Sequence, residues 1–311
     1  MITDIESTAQ AIVAHHAAEL ALPDWQAVAA PSTSEPTPLQ AAVRLACRRM
    51  GFDDVDGQVL AQAWQRQSLR LGAFDPAAWP SEPQDFGMAP WPRSPAFAPC
   101  PQALGLYVVL PDAAWVGRMA RAGVPTVQLR FKSHDGAAIE REVQSAVEAV
   151  RGTSALLFVN DHWQAALRAG AYGVHLGQED LEALQPNQLQ SLREAGLRLG
   201  LSTHGYAEML RADRYSPSYM ALGAVFATTL KRMATAAQGT ARLRRYAQLM
   251  DRYPLVAIGG IDEARLPAVM ASGVGSAAVV RAVVAADQPE AAAQALGAQV
   301  RALSRSQLSS G

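Results

Sequence analysis

From residue 104 onward the chain repeats one pattern eight times: a short run of β-formers followed by an amphipathic stretch of helical period. The β-rich runs occupy 106–110, 126–131, 155–159, 173–177, 198–203, 219–226, 255–260 and 276–282, and helix-like segments such as 137–150, 181–195 and 243–253 lie between them. Strands separated by helices pair in parallel through right-handed crossovers. Eight such units in about 200 residues match the compact end of the range for a (β/α)8 barrel. An open doubly wound sheet is the other arrangement of such units. It is disfavoured by the count of eight and by a first strand that is followed by no G-x-G-x-x-G turn. The expected fold class is therefore α/β, a (β/α)8 TIM barrel over residues 104–304.

A different pattern precedes the barrel. Residues 1–75 read as a small α-helical region. Ile5, Ile12, Val13 and Leu20 mark one stripe, and Leu39, Val43, Cys47 and Met50 a second, ended by Gly51. Val55, Leu60, Trp64 and Leu69 mark a third. The Ser/Thr/Pro-rich stretch 30–38 reads as a loop. Residues 76–103 are proline-rich and interleaved with Trp79, Phe86, Trp91 and Phe97. Proline excludes a regular element there, while the aromatics argue for an extended arm packed on the barrel surface. Residues 305–311 are expected to be a disordered tail. The first hundred residues carry no phosphate loop, metal cluster or basic stripe. They read as a structural or oligomerising appendage whose removal leaves turnover largely intact.

Composition narrows the setting. No apolar run approaches the ~20 residues of a membrane span. The N-terminus, with Asp4 and Glu6, is not a signal peptide. Two cysteines, Cys47 and Cys100, form no disulfide framework and suit a cytoplasmic protein. Residues 1–100 have a charge balance of −5 and the remainder +4. That is too weak for a nucleic-acid surface but compatible with anionic small molecules. Among 27 basic residues only two, Lys132 and Lys231, are lysines. In a chain biased so strongly to arginine, lysine persists where a compact ammonium is wanted in place of a planar guanidinium.

In a (β/α)8 barrel the site lies at the C-terminal ends of the strands. Strand 2 ends Gln128-Leu129-Arg130-Phe131-Lys132 and strand 3 ends Asn160-Asp161. Strand 4 runs into His175-Leu176-Gly177-Gln178-Glu179-Asp180, and strand 5 ends Ser202-Thr203-His204. Strand 6 leads through Thr228 to Lys231, strand 7 ends Ile258-Gly259-Gly260-Ile261, and strand 8 ends Val279-Val280-Arg281. Taken singly, Asp161 and Asp180 read as helix N-caps, the two histidines as hydrogen-bonded packing residues, and the glycine pair as a tight strand exit. Together, Arg130, Lys132 and Lys231 supply three cations for a pyrophosphate. Two carboxylates with no soft ligand beside them suit magnesium. The glycines after strand 7 and the backbone after strand 8 suit a second phosphate.

These elements resemble the thiamine-phosphate synthase family. The resemblance covers residues 104–290 and runs in order: Gln128-Leu129-Arg130-x-Lys132, Asn160-Asp161, His175-x-Gly177-Gln178-Glu179-Asp180, Gly200-x-Ser202-x-His204, Gly223 to Lys231, and Ile258-Gly259-Gly260-Ile261. It implies a reaction in which hydroxymethylpyrimidine pyrophosphate loses magnesium pyrophosphate and the thiazole phosphate nitrogen captures the resulting pyrimidine-methyl cation, giving thiamine phosphate. By that resemblance Arg130, Lys132, Asn160 and Lys231 hold the pyrophosphate, and Asp161 and Asp180 hold Mg2+. Gln128 contacts the pyrimidine and Ser202 the reacting region. Thr228, Gly260 and the backbone around Val280 and Arg281 hold the thiazole phosphate. The implied partners are these two small-molecule substrates, with no nucleic acid and no membrane, and with room for a homo-oligomer.

The sequence departs from the family pattern at four places. Phe131 stands where an acidic residue is common, Ala224 where proline is, Leu230 where a hydroxyl residue is, and Arg281 where serine is frequent. Two other readings compete. A thiazole tautomerase on the same barrel would use His204 as its acid and base, but has no use for the pyrophosphate and magnesium residues. A non-catalytic thiamine-pathway binding or regulatory protein would have shed Lys231, Asp161 or Asp180, and all three are present.

Overall fold

A computed structural model describes residues 4–22, 35–90, 93–228 and 236–308, with the side chains of the last three excepted. The chain opens with three helices, α1 (Ile5–Leu20), α2 (Pro38–Arg49) and α3 (Asp54–Leu71). The barrel follows: β1 (Gly105–Leu110), α4 (Ala113–Arg121), β2 (Thr126–Leu129), α5 (Gly136–Val150), β3 (Leu156–Asn160), α6 (Trp163–Ala169), β4 (Gly173–Leu176), α7 (Gln178–Ala183) and α8 (Pro186–Glu194). It continues with β5 (Arg198–Thr203), α9 (Tyr206–Asp213), β6 (Tyr219–Leu222), α10 (Gly239–Leu249), β7 (Leu255–Ile258), α11 (Leu266–Met270), β8 (Ser276–Val279), α12 (Arg281–Val284) and α13 (Pro289–Leu308). All eight strands are parallel, each pairs with the next, and β8 returns to β1 to close the barrel. Among the described residues no helix is long and apolar enough to cross a membrane.

Successive strand residues point alternately outward and inward, and the two faces are filled differently. The outward face packs Leu106, Val108, Val127, Leu157, Val174 and their neighbours against the helices. The inward face packs Tyr107, Val109, Phe158, Tyr219, Ala221, Val256 and Ala278 into a separate cluster. Large rings fit there because two strand positions have no side chain. A Cβ on Gly200 would lie 2.1 Å from the Tyr219 ring, and one on Gly173 2.6 Å from the Phe158 ring. Gly200 is thus required by interior packing. The barrel floor is closed by the arm: Ser218 Oγ donates to Ala98 O at 2.6 Å, Thr126 Oγ1 to Leu104 O at 2.8 Å, and Leu104 N to Ser276 Oγ at 2.7 Å.

Several boundaries differ from the sequence expectation, each for a local reason. Strand 6 ends at Leu222, because the chain beyond Gly223 turns to bond the exit of β7, with Val225 N on Ile258 O and Phe226 N on Gly259 O, both at 2.9 Å. Strand 2 stops at Leu129, and strand 8 stops at Val279 with Arg281 already opening α12. Pro186 splits the expected helix 181–195 into α7 and α8. Residues 305–308, expected in a tail, continue α13. The third helical stripe differs at both ends: Leu60 and Trp64 are buried, but Val55 is 48% and Leu69 76% exposed, because the inward face of α3 runs through Gly57, Leu60, Ala61, Trp64 and Gln67.

The N-terminal helices share one apolar cluster with the outer face of the barrel. Its aromatic centre is Trp64, Trp79, Phe52 and His16, with Trp64 and Trp79 edge-on at 5.1 Å. The arm joins it to α9, since Trp79 Nε1 donates to Tyr206 Oη at 3.0 Å and Phe86 stacks on the same ring. Farther along the arm, Arg93 reaches Asp213, which also accepts from Arg252 and Tyr253. A polar contact lies beside the aromatics: Asp56 of α3 accepts the N–H of Ala207, in the first turn of α9, at 2.8 Å.

Burial pushes the Asp56 carboxyl up to about 6, against the opposing pull of the amides it accepts from. The folded state therefore holds a proton that the unfolded chain releases near pH 3.8. Stability from this group is full below that value and lost as pH rises through about 6, a change of about 3 kcal/mol. Asp56→Asn keeps an acceptor without the charge. Urea unfolding of the two proteins from pH 4 to 7 should show the variant gaining on wild type as pH rises; parallel curves contradict this.

Candidate active site

The eight strands deliver their polar ends to one mouth. Strand β2 places Gln128 inside the barrel, buried, while Arg130 lies just past the strand, its N–H still bonded to Leu110 O at 2.7 Å. Lys132 is farther out and exposed, with Nζ 3.8 Å from Asp161 Oδ2. Strand β3 ends at Asn160, level with His175 of β4. Asp161 follows with φ 61°, in the left-handed region that aspartate tolerates better than most residues. Its N–H bonds His175 O at 3.0 Å, and His162 Nε2 lies 2.9 Å from Phe131 O, so the exits of β2, β3 and β4 are tied together. A strained backbone so firmly tied marks a position where the side chain must point one way.

Neither carboxylate is an N-cap. His162 caps α6, placing Asp161 one residue outside it, and Asp180 occupies the third position of α7, reaching back to Gly177 N at 3.3 Å. Burial pushes the Asp161 carboxyl up from its ordinary value, the neighbouring Asp180 carboxylate adds to the rise, and Lys132 opposes it. Two carboxylates facing each other beside one ammonium form a pocket that lacks positive charge. Among the described residues no group of three or more His, Cys, Asp or Glu side chains is arranged for a metal. A cation here would draw further ligands from water or from phosphate oxygens, as magnesium does.

Below the mouth runs a buried hydrogen-bonded chain that the sequence reading did not foresee. Gln128 Nε2 donates to Tyr107 Oη at 3.0 Å, and Tyr107 Oη lies 2.8 Å from Tyr219 Oη. Tyr219 Oη lies 2.7 Å from His175 Nδ1, and His175 Nε2 lies 2.8 Å from Ser202 Oγ. Burial raises both phenols well above their ordinary pKa, so each keeps its single proton. With the Gln128 amide donating at one end, the arrangement that bonds every proton has Tyr107 donating to Tyr219, Tyr219 to His175 Nδ1, and His175 Nε2–H to Ser202, whereas the other His175 tautomer reverses the last two bonds. In the first arrangement the Ser202 hydroxyl keeps its own proton to offer to the mouth. The only sequence signal was a pair of hydroxyl-bearing rings at inward strand positions.

On the far side, Gly259 and Gly260 take φ 108° and 63°. A Cβ on Gly260 would lie 2.7 Å from Ala227 O, so the glycine pair lets the segment after β6 cross closely over the exit of β7. Gly260, Val280 and Arg281 follow the adjacent strands β7 and β8, with Arg281 exposed at the start of α12. Thr228 is half-buried, and Lys231 lies outside the described residues. His204 is held by Glu208, its Nδ1 2.7 Å from Glu208 Oε2.

Fold and mouth together define a (β/α)8-barrel protein with cations and paired carboxylates at the strand ends. The family model for thiamine monophosphate synthase matches residues 106–283, and the chain belongs to that family. It is 50% identical over 202 residues to the thiamine-phosphate synthase of Neisseria meningitidis serogroup B, a match covering 65% of this chain and 97% of that protein. It is 48% identical over 204 residues to the thiamine-phosphate synthase of Yersinia pestis strain Pestoides F, covering 65% of this chain and 94% of that protein. Among solved structures, thiamine phosphate pyrophosphorylase from Pyrococcus furiosus superposes with a TM-score of 0.56 at 29% identity, over 64% of this chain and 96% of that one.

The buried chain should be costly to break. Tyr219→Phe keeps the ring and strands two buried partners, so the urea midpoint should fall by the equivalent of about 1–3 kcal/mol. An unchanged midpoint would mean that the chain contributes nothing to stability.

Proposed function

We propose that the chain is a thiamine-phosphate synthase that joins hydroxymethylpyrimidine pyrophosphate to thiazole phosphate. The observation that carries this reading is the grouping of Asp161, Asp180 and Lys132 at neighbouring strand ends in a barrel of that family. The pyrimidine carbon–oxygen bond breaks first, sending its electron pair out with pyrophosphate. The thiazole ring nitrogen then donates its lone pair to the pyrimidine methylene cation.

The protein's part is to hold and to stabilise charge. Arg130, Lys132, Asn160 and Lys231 surround the pyrophosphate and gain most in interaction as its charge grows, which lowers the barrier selectively. Asp161 and Asp180 would hold magnesium, which when bound neutralises the leaving group. Its fit is supported by a carboxylate pair short of positive charge and, among the described residues, by the absence of any cluster of three or more His, Cys, Asp or Glu ligands that would suit a softer metal. Ser202, its proton directed outward by His175, donates to the reacting region, and Gln128 contacts the pyrimidine from below. Thr228, Gly260 and the backbone at Val280 and Arg281 receive the thiazole phosphate. None of these steps calls for a nucleophile or a base from the protein. The exposed Arg281 side chain adds a cation at that end, where the family commonly has serine.

Purified protein given both phosphorylated precursors and magnesium should release thiamine phosphate and pyrophosphate in equal amounts, and a chelator should stop it. No product from wild type ends this reading. Under it, Lys231→Ala should lower kcat/KM by about 10²-fold or more. Lys231→Arg should restore little of that loss if a compact ammonium is what the position needs. A Lys231→Ala enzyme with wild-type kinetics would remove that residue from the pyrophosphate site.

A further inference from the structure

Besides the surface pairing of Glu19 with Arg244 and Arg245, two buried side chains, Asp56 and Arg242, make polar contacts between the N-terminal helices and the barrel. The first is Asp56 at the start of α9. That helix begins after Gly205 with no capping side chain of its own, and Asp56 Oδ1 takes its Ala207 N–H at 2.8 Å from elsewhere in the chain. The seat exists because residue 205 has no side chain, since a Cβ there would lie 2.1 Å from Asp56 Oδ2. Gly205 directly follows His204 and stands three residues beyond Ser202.

The second contact is Arg242 of α10, 3% exposed. Its Nε donates to Leu20 O at 2.9 Å and its Nη2 to Met50 O at 2.7 Å, the carbonyls at the C-terminal ends of α1 and α2. The guanidinium lies 3.6 Å over the Phe52 ring. A cation at two helix C-termini meets carbonyls left without a partner inside their own helix, Met50 O accepting also from Leu22 N at 3.0 Å, and the negative ends of the two dipoles. Its remaining arm, Nη1, donates to Gln238 Oε1 at 3.2 Å, which also accepts from Tyr246 Oη at 3.0 Å. Gln238 N donates in turn to Ala224 O at 2.8 Å, and Gly239 N to Val225 O at 2.9 Å. A continuous hydrogen-bonded path thus runs from the ends of α1 and α2 to the exit of β6, four residues before Thr228.

Burying a guanidinium is expensive, and apolar side chains would hold the same surfaces together at lower cost. What the charged arrangement adds is direction. We propose that the N-terminal helices are a positioning element for turnover. Through Asp56 they set the turn after Ser202, and through Arg242 and Gln238 they set the exit of β6. This rests on the reading of the mouth as a thiamine-phosphate synthase site. It also revises the expectation of a dispensable appendage. The Neisseria and Yersinia proteins are matched over nearly all their length by 65% of this chain, so they leave little length for a counterpart of these helices.

Two variants test the path without deleting anything. Gln238→Ala cuts the path at the Arg242 Nη1–Gln238 Oε1 bond, leaving the Arg242 bonds to Leu20 and Met50 and the backbone bonds to the exit of β6 in place. Arg242→Lys keeps the charge but cannot span two carbonyls and an amide. Both are assayed in the full-length enzyme with magnesium and both precursors, at a temperature where each is folded. The expected result is a fall in kcat of at least about fivefold in both, with each KM within about threefold, as when transition-state geometry is lost and ground-state binding is kept. Glu19→Ala, which removes the ion pair between α1 and Arg245, should leave kcat unchanged. Changes confined to KM or to the thermal midpoint overturn the proposal, because the helices would then only stabilise the fold. A wild-type enzyme that makes no thiamine phosphate overturns the functional reading instead.

Discussion

The hydroxyl pair of Tyr107 and Tyr219, 2.8 Å apart in the barrel interior, is the contact on which the rest of the structure depends. Each ring needs space inside a closed eight-stranded sheet, and Gly200 supplies it for Tyr219. Each hydroxyl, once buried, needs a partner or costs about 1–3 kcal/mol. Satisfying both draws in Gln128 on one side and His175 on the other, and His175 then orients Ser202. Packing and chemistry are therefore one problem here. The rings that fill the barrel also carry the hydrogen-bonded chain that ends on the Ser202 hydroxyl.

Above this layer the mouth carries its charges at a cost. Asp161 adopts a left-handed backbone beside Asp180, whose carboxylate, together with burial, raises the Asp161 carboxyl's affinity for positive charge. Such a pair is stable only in a frame that over-determines it. The bonds from Asp161 N to His175 O and between His162 and Phe131 O provide that frame by tying three strand exits together. The strand exits are thus held in place before any ligand arrives, as the proposed binding of a metal-bearing pyrophosphate requires.

How much of this the sequence revealed depends on the range of each interaction. The barrel was legible because strand and helix periods are local and repeat eight times. The mouth was legible because polar residues at the ends of buried strands stand out against their apolar runs, as with Asn160-Asp161 and Ser202-Thr203-His204. Strand ends were read too long at Phe131, Phe226 and Ala282, because a β-rich composition does not reveal where a partner strand stops. Gly200 looked like a motif residue, and its demand comes from Tyr219 across the barrel. The capping of α9 by Asp56 and the reach of Arg242 to Leu20 span 151 and 222 residues, and no local pattern announces them.

Under the proposed function, the carboxylates and lysine at the ends of β2, β3 and β4 form the seat of a metal-bound pyrophosphate. A crystal grown with pyrophosphate, and with manganese in place of magnesium, tests this directly through anomalous scattering. The account predicts a manganese peak between Asp161 and Asp180, with pyrophosphate against it and beside Lys132. A peak elsewhere, or pyrophosphate bound away from the mouth, would contradict it.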